Sequence, residues 1–365
     1  MIRPDNGSRL RLLKWPILRA ERQSCATLGG IITNGAAAAA GLHKLPGHLL
    51  SHFHIDNTPL IKLAPSVARI YTLMERLTFF FDGIDNVPTA ETTSNAPTST
   101  VFENKAVDIL RRHLRIEDSS SLTSATQAII SLLPEPPEPR GWSEELTVFW
   151  ELCINTAEQI PHYHICHMRL ARLVLALRHS PKTTYTILWD QSRDIKYTSK
   201  LHLLGETIRD VYNPAFSAQD SNETSSPEDG QRWVNTIAFY AHMHSMNGGM
   251  LSTYCTWTMG DAFESTPSTN YSALDCHISA AAQWIIYSGQ NILSAILVPL
   301  EEAESDSMFG RREPWTLNGW RRWKTGFAEA EREEHLQQET RQLAKRSASL
   351  MEALEAAMIS VYMKA

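Results

Sequence analysis

The stretch "ALDCHISAAAQWIIYSGQNILSAIL", residues 273–297, constrains this chain more than any other. It has helical composition and is apolar nearly all round, so a helix here must be surrounded by others to be kept from water. No run approaches the ~18 consecutive apolar residues that a membrane span requires. The segment is therefore expected at the centre of a helical bundle. Its neighbours carry matching periodicity. In Ile61 to Phe81, the apolar residues Leu63, Val67, Ile70, Tyr71, Met74, Leu77 and Phe81 fall at steps of three and four. Helices are likewise predicted over Phe102 to Leu114, Ser121 to Leu133, Met168 to Leu177, Leu201 to Tyr212 and Arg232 to Ser245. Another begins at a Ser143 cap and carries Leu146, Phe149, Cys153, Ala157 and Ile160 on one stripe. Prolines punctuate them: "PEPPEPRG" stops one helix, and Pro161 ends or kinks the next.

No strand pattern of comparable length competes, and alternating βα units, GxGxxG, P-loop and GxSxG motifs are all missing. The fold class is all-α: a single multi-helix bundle with a disordered or irregular N-terminal segment. Residues 1–58 read as poorly ordered, 59–330 as the helical domain and 331–365 as a C-terminal helix whose charges form a solvated face. The Arg-rich first 42 residues fit a weak transit peptide or an unstructured tail, without the pattern of a secretory signal.

With 365 residues, 43% of them apolar, the chain can build a sizeable core. A net charge of −6 lacks the cationic excess that phosphate-backbone binding needs, so nucleic acid is not an expected partner. The five cysteines are scattered without CxxC spacing, which suits reduced thiols in a cytoplasmic protein.

Several constellations could carry chemistry. "FFFDGID" leads to Asp82, Asp85 and Asn86. Carboxylates one turn apart at a helix end can hold Mg2+ while leaving positions for substrate phosphates; the same residues can equally cap a helix and bond a loop. At least one of Phe79, Phe80 and Phe81 must point away from the core stripe. Glu151, Asn155 and Glu158 share a face opposite the apolar stripe of their helix and are expected in solvent. His162, His164 and His167, and separately His242 and His244, invite a zinc hypothesis, but neither group has the i, i+4 spacing of helical zinc sites. Asn235 and His242 share one face of their helix, while Trp233, Ile237, Tyr240 and His244 line the other. Finally, Arg311, Arg312, Arg321, Arg322 and Lys324 cluster among Trp315, Trp320 and Trp323. Such cations can neutralise a diphosphate or stack on the indoles at the surface.

"FWELCINTAEQIPHYHICHMRLARLVLALR", "QRWVNTIAFYAHMHS", "ISAAAQWIIYSGQNI" and "WRRWKTGF" resemble, in this order, a fungal family of unknown function found in secondary-metabolite gene clusters, one member of which is named for oxopyrrolidine biosynthesis. The resemblance covers roughly residues 105–330. The family is in turn similar to the fungal α-humulene synthases, all-helical enzymes without ordinary terpene-cyclase signatures. The resemblance implies cyclisation of farnesyl diphosphate with Mg2+ to a hydrocarbon. Asp82, Asp85 and Asn86 would then hold metal, and Arg311, Arg321, Arg322 and Lys324 would hold diphosphate. Asn235, His242, Phe239, Trp284 and Tyr287 would line the reaction chamber, with Trp257 as a further wall. Two departures stand out: Gly83 occupies a position where class I cyclases often repeat the aspartate, and Asn235 is followed by Phe239 and Met243 in place of the second metal signature. The alternatives are a non-catalytic accessory protein, or a cluster enzyme using a histidine base on a polyketide or peptide intermediate.

Overall fold

The computed structural model describes residues 77–81, 84–85, 98–115, 120–135, 143–190, 195–212, 227–247, 251–264, 270–297 and 315–362. Among these are ten α-helices, so the all-α reading holds. They are α1 (Thr98–Leu114), α2 (Leu122–Leu132), α3 (Glu144–Gln159), α4 (Cys166–Leu177), α5 (Leu204–Val211), α6 (Pro227–Asn247), α7 (Ser252–Phe263), α8 (Tyr271–Leu297), α9 (Leu317–Ala330) and α10 (Gln338–Tyr362). Serine and threonine caps start several of them. Ser121 accepts from the Ser124 amide, Ser143 from the Leu146 amide at 3.2 Å, and Thr316 from the Gly319 amide at 3.0 Å. The α3 stripe of Leu146, Phe149, Cys153, Ala157 and Ile160 is buried throughout, as its spacing requires.

The architecture is organised around α6 and α8. Ala280, Ala281, Ala282, Trp284, Ile285, Ile292 and Leu293 of α8 are all buried, and α6, α7, α9 and α10 pack around it. Gly230 abuts Cys276, His242 meets Tyr287, His244 meets Ser288, and the Ser245 carbonyl accepts from Asn291. Partner numbers rise together, so α6 and α8 run parallel, with a constant offset near one end. At their beginning the helices touch because Gly230 has no side chain; a Cβ there would stand 2.2 Å from Cys276 Sγ. α10 buries Ala344, Ser347 and Met351 in the same core, and its Thr340 meets Ser279 of α8. The C-terminal segment therefore belongs to the bundle while keeping the solvated face its charges predict.

Three elements depart from expectation. An antiparallel hairpin, β1 (Thr184–Asp190) with β2 (Ile195–Lys200), stands between α4 and α5. α7 begins after Leu251, a left-handed residue (φ 73°) with no side-chain cap bond, a conformation that costs ~1–2 kcal/mol. Residues 77–81, the end of the helix expected over Ile61 to Phe81, form no helix and carry no regular secondary structure, whereas residues 61–76 lie outside the described residues. The four described cysteines, Cys153, Cys166, Cys255 and Cys276, are free thiols, and no described helix is long and apolar enough to cross a membrane.

Candidate functional site

The phenylalanine run docks on the bundle without regular secondary structure. Phe79 and Phe81 are buried and Phe80 is 51% exposed, so one ring of the three points away from the core. The Gln159 side chain at the end of α3 serves both polar groups of Phe80: its oxygen accepts from the Phe80 amide at 2.7 Å, and its amide donates to the Phe80 carbonyl at 2.8 Å. From α1, Arg111 donates to the Phe79 carbonyl at 2.9 Å and forms an ion pair with Asp85 at 2.6 Å. Asp85 also accepts from the Phe81 amide at 2.8 Å. Arg111 first, and this amide second, hold the Asp85 carboxyl below its ordinary range. Asp85 thus ties down a turn. Asp82 and Asn86 lie outside the described residues, and among the described residues no group of three or more His, Cys, Asp or Glu side chains could hold a metal ion.

The cations of the "WRRWKTGF" stretch are arranged along α9. Arg321 donates to Glu355 of α10 at 2.6 Å, Lys324 donates to Glu355 at 2.7 Å, and Lys324 also pairs with Glu352. Burial opposes the charge on Glu355, but the hydrogen bonds from Lys324 and Arg321 outweigh it and keep the carboxyl low. Arg322 is exposed, and Arg311 and Arg312 lie outside the described residues. The described pairs therefore bolt α9 to α10. Trp320 and Trp323 are fully buried rather than stacked on the surface: Trp320 lies near Gly289 of α8, and Trp323 donates to Glu264 at the end of α7 at 3.3 Å.

The two histidine groups, some eighty positions apart in sequence, meet in space. The turn after α3 carries His162 and His164, and the first turn of α4 carries His167, whose ring stacks on His242 of α6 at 6.3 Å; His242 lies 4.1 Å from Tyr287 of α8. The Tyr287 hydroxyl donates to the His162 carbonyl at 2.9 Å. Gln231 approaches His162 Nδ1 at 3.4 Å and donates to the Asn235 side-chain oxygen at 2.9 Å; the Asn235 amide in turn donates to the Glu158 carbonyl at 2.8 Å. Asn235 is thereby a splint between α3 and α6, on the same side of α6 as His242. Hydrogen bonding assigns two tautomers. His167 Nε2 lies 2.9 Å from the Ile160 carbonyl and must carry the proton, leaving Nδ1 a bare acceptor. His164 Nδ1 accepts from the Cys166 amide at 3.2 Å, leaving the proton on Nε2. Both remaining ring nitrogens are buried without a hydrogen-bond partner among the described residues.

Burial keeps these imidazoles neutral. It lowers His162 and His164, pushes His167 down to about 3 with His242 adding to the effect, and pushes His242 down to about 4. Of the cluster, His242 and Tyr287 are half-buried and so reachable. Phe239 and Trp284, also expected in the chamber wall, are fully buried, whereas Trp257 is 38% exposed. On α3, Asn155 is exposed as expected, but Glu151 and Glu158 are half-buried. Burial raises both carboxyls, with Glu103 and Asp210 raising Glu151 further. Those positions turned inward because α1, α5 and α6 pack over that flank of α3.

The described residues form an all-α bundle in which neutral imidazoles and aromatic rings meet along a seam between α4, α6 and α8. Residues 150–327 match a family model described as "Protein of unknown function (DUF3632)", a span running from Trp150 on α3 to Phe327 on α9. The imidazole seam lies inside this span; Asp85 and Arg111 lie outside it. No curated protein and no solved structure matches the chain.

Proposed function

We propose that the helical domain is a cyclase of the α-humulene-synthase kind, acting in secondary metabolism to convert farnesyl diphosphate into a cyclic sesquiterpene hydrocarbon and diphosphate. The observation that carries the reading is the half-buried contact of neutral His242 with Tyr287. Cleavage of the allylic C–O bond sends the electron pair to the diphosphate and leaves a carbocation. Aromatic faces stabilise such a cation without attacking it. Proton loss from a carbon next to the cationic centre then forms the final double bond, and His242, unprotonated at neutral pH, is the base at hand.

Mg2+ belongs to this proposal as the partner of the departing diphosphate. The described residues do not fit a site for it, since the Asp85 oxygens are already engaged by Arg111 and the Phe81 amide. The test is to incubate the purified chain with farnesyl diphosphate, with and without Mg2+, and to follow volatile products by gas chromatography and released diphosphate. A cyclic hydrocarbon is expected, with His242→Ala changing the product pattern or abolishing turnover. Neither product nor diphosphate under any condition would overturn the reading.

A second reading, a non-catalytic helical accessory or binding protein, is favoured by one observation: the cations Arg321 and Lys324, expected to hold diphosphate, are spent on Glu355 and Glu352. It predicts no turnover of any prenyl diphosphate.

A further inference from the structure

His242 is the base of the cyclase reading, yet no hydrogen bond sets the direction of its ring. Its backbone carbonyl accepts from Ser245 at 2.8 Å, but among the described residues neither ring nitrogen has a hydrogen-bond partner. A histidine that takes up protons ordinarily has its second nitrogen held by a carbonyl or a carboxylate. Here two neighbouring rings stand in for that bond: Tyr287 of α8, with centroids 4.1 Å apart and planes at 31°, and His167 of α4, at 6.3 Å and 17°. Both rings are pinned by the turn between α3 and α4. α3 ends at Gln159, and Pro161 follows with no N–H to extend the ladder, so the carbonyls of the turn need partners beyond the helix. Ile160 accepts from His167 Nε2 and His162 from the Tyr287 hydroxyl, each at 2.9 Å, while Pro161 accepts from the His164 amide at 2.8 Å.

We infer that Tyr287 is the positioning residue of His242: the His162 carbonyl fixes its hydroxyl, and the phenol ring so fixed keeps the imidazole in one orientation toward the substrate. The inference rests on the reading of His242 as the base that receives a proton from carbon. Tyr287 takes no proton itself, because its O–H is spent on the carbonyl and burial holds the phenol above its ordinary ionisation range. Its ring has a second effect. When His242 gains the proton it becomes a cation, and an aromatic face against it lowers the cost of that charge. The anchor is long-range, since His162 and Tyr287 stand 125 positions apart, so α8 and the turn are joined at the point where the base is held.

The test is Tyr287→Phe in the full chain, which keeps the ring and deletes the anchoring hydroxyl. An aromatic ring 4.1 Å away shields the imidazole C–H protons of His242, so their resonances in histidine-labelled protein, assigned by their loss in His242→Ala, report where the ring stands. In Tyr287→Phe they are expected to move toward the values of the unfolded chain, while those of His113 on α1 stay in place. With farnesyl diphosphate and Mg2+, kcat is expected to fall roughly 10-fold to 100-fold at nearly constant KM, because a displaced base slows proton transfer without weakening substrate binding. His242 resonances that do not move, a KM that rises at unchanged kcat, or His113 resonances that move equally, the mark of general loosening, would each overturn the inference. An unaltered chain that turns over no farnesyl diphosphate overturns the cyclase reading instead, and the resonances then decide by themselves whether Tyr287 positions the ring.

Discussion

Lowering the pH from 7.5 to 5.5 should cost this bundle several kcal/mol of stability, through histidines that it buries neutral. His167 is held at about 3 and His244 at about 4, in both cases first by burial, against an ordinary 6.5. An imidazole whose folded pKa is depressed is protonated preferentially in the unfolded chain. Its stabilising contribution is complete above about pH 6.5 and is lost as pH falls, the loss levelling off near the folded pKa. At pH 5.5 an unfolded imidazole of pKa 6.5 is ten parts protonated to one part not, while His167 and His244 remain neutral when folded. Each therefore costs RT ln 11, about 1.4 kcal/mol, and the two together about 3 kcal/mol. His242 and His277, both pushed to about 4, add in the same direction. Glu103, Glu151 and Glu158, whose carboxyls burial raises, work the other way. A non-titrating variant isolates the imidazole contribution. Urea unfolding at the two pH values should give a stability difference smaller by about 1.4 kcal/mol in His167→Asn than in the unaltered chain. An unchanged difference in the variant, or no pH dependence at all, would refute the argument that the seam is neutral by burial.

Three further outcomes are expected. Gly230→Ala should destabilise by about 1–3 kcal/mol in urea unfolding, because the new methyl meets Cys276 Sγ, and Cys276→Ala in the same chain should recover most of it. Lys324→Ala should lower the melting temperature by leaving the buried Glu355 with Arg321 alone, without weakening diphosphate affinity; weaker affinity at unchanged melting temperature would return Lys324 to the role its sequence context suggests. Gln159→Ala should free both backbone groups of Phe80 and raise the rate of proteolytic cleavage near residue 80, an effect absent if Phe79 and Phe81 alone hold the segment.

The bundle was legible where local pattern and tertiary need agree. The α3 stripe, the Ser143 cap and the all-apolar α8 follow from spacing and composition, and three consecutive phenylalanines required one, here Phe80, to point away from the core. Residues 77–81 continue a helical pattern but form no helix, because Gln159, seventy-nine positions from Phe80, and Arg111 supply backbone partners that no local signal encodes. α7 was not expected because it starts from left-handed Leu251 without a capping side chain. The hairpin carried a usable signal in "TYTILWD" and "IKYTSK", both rich in β-branched and aromatic residues. Of the site, single residues such as His242 and Tyr287 could be picked out, but their meeting with His167 depends on the docking of α4 and α8 against α6, which spacing along one helix cannot encode.

The shared direction of α6 and α8 carries one more consequence. Peptide dipoles in neighbouring helices usually oppose one another, whereas here two long ones add, concentrating partial negative charge toward Asn247 and Leu297. His242 and His244 sit in the final two turns of α6, at the end of that field. Dehydration wins at rest and leaves both rings uncharged, but the aligned carbonyls lower the cost of a positive charge held there briefly. An imidazole in such a place can take up a proton for an instant and release it readily.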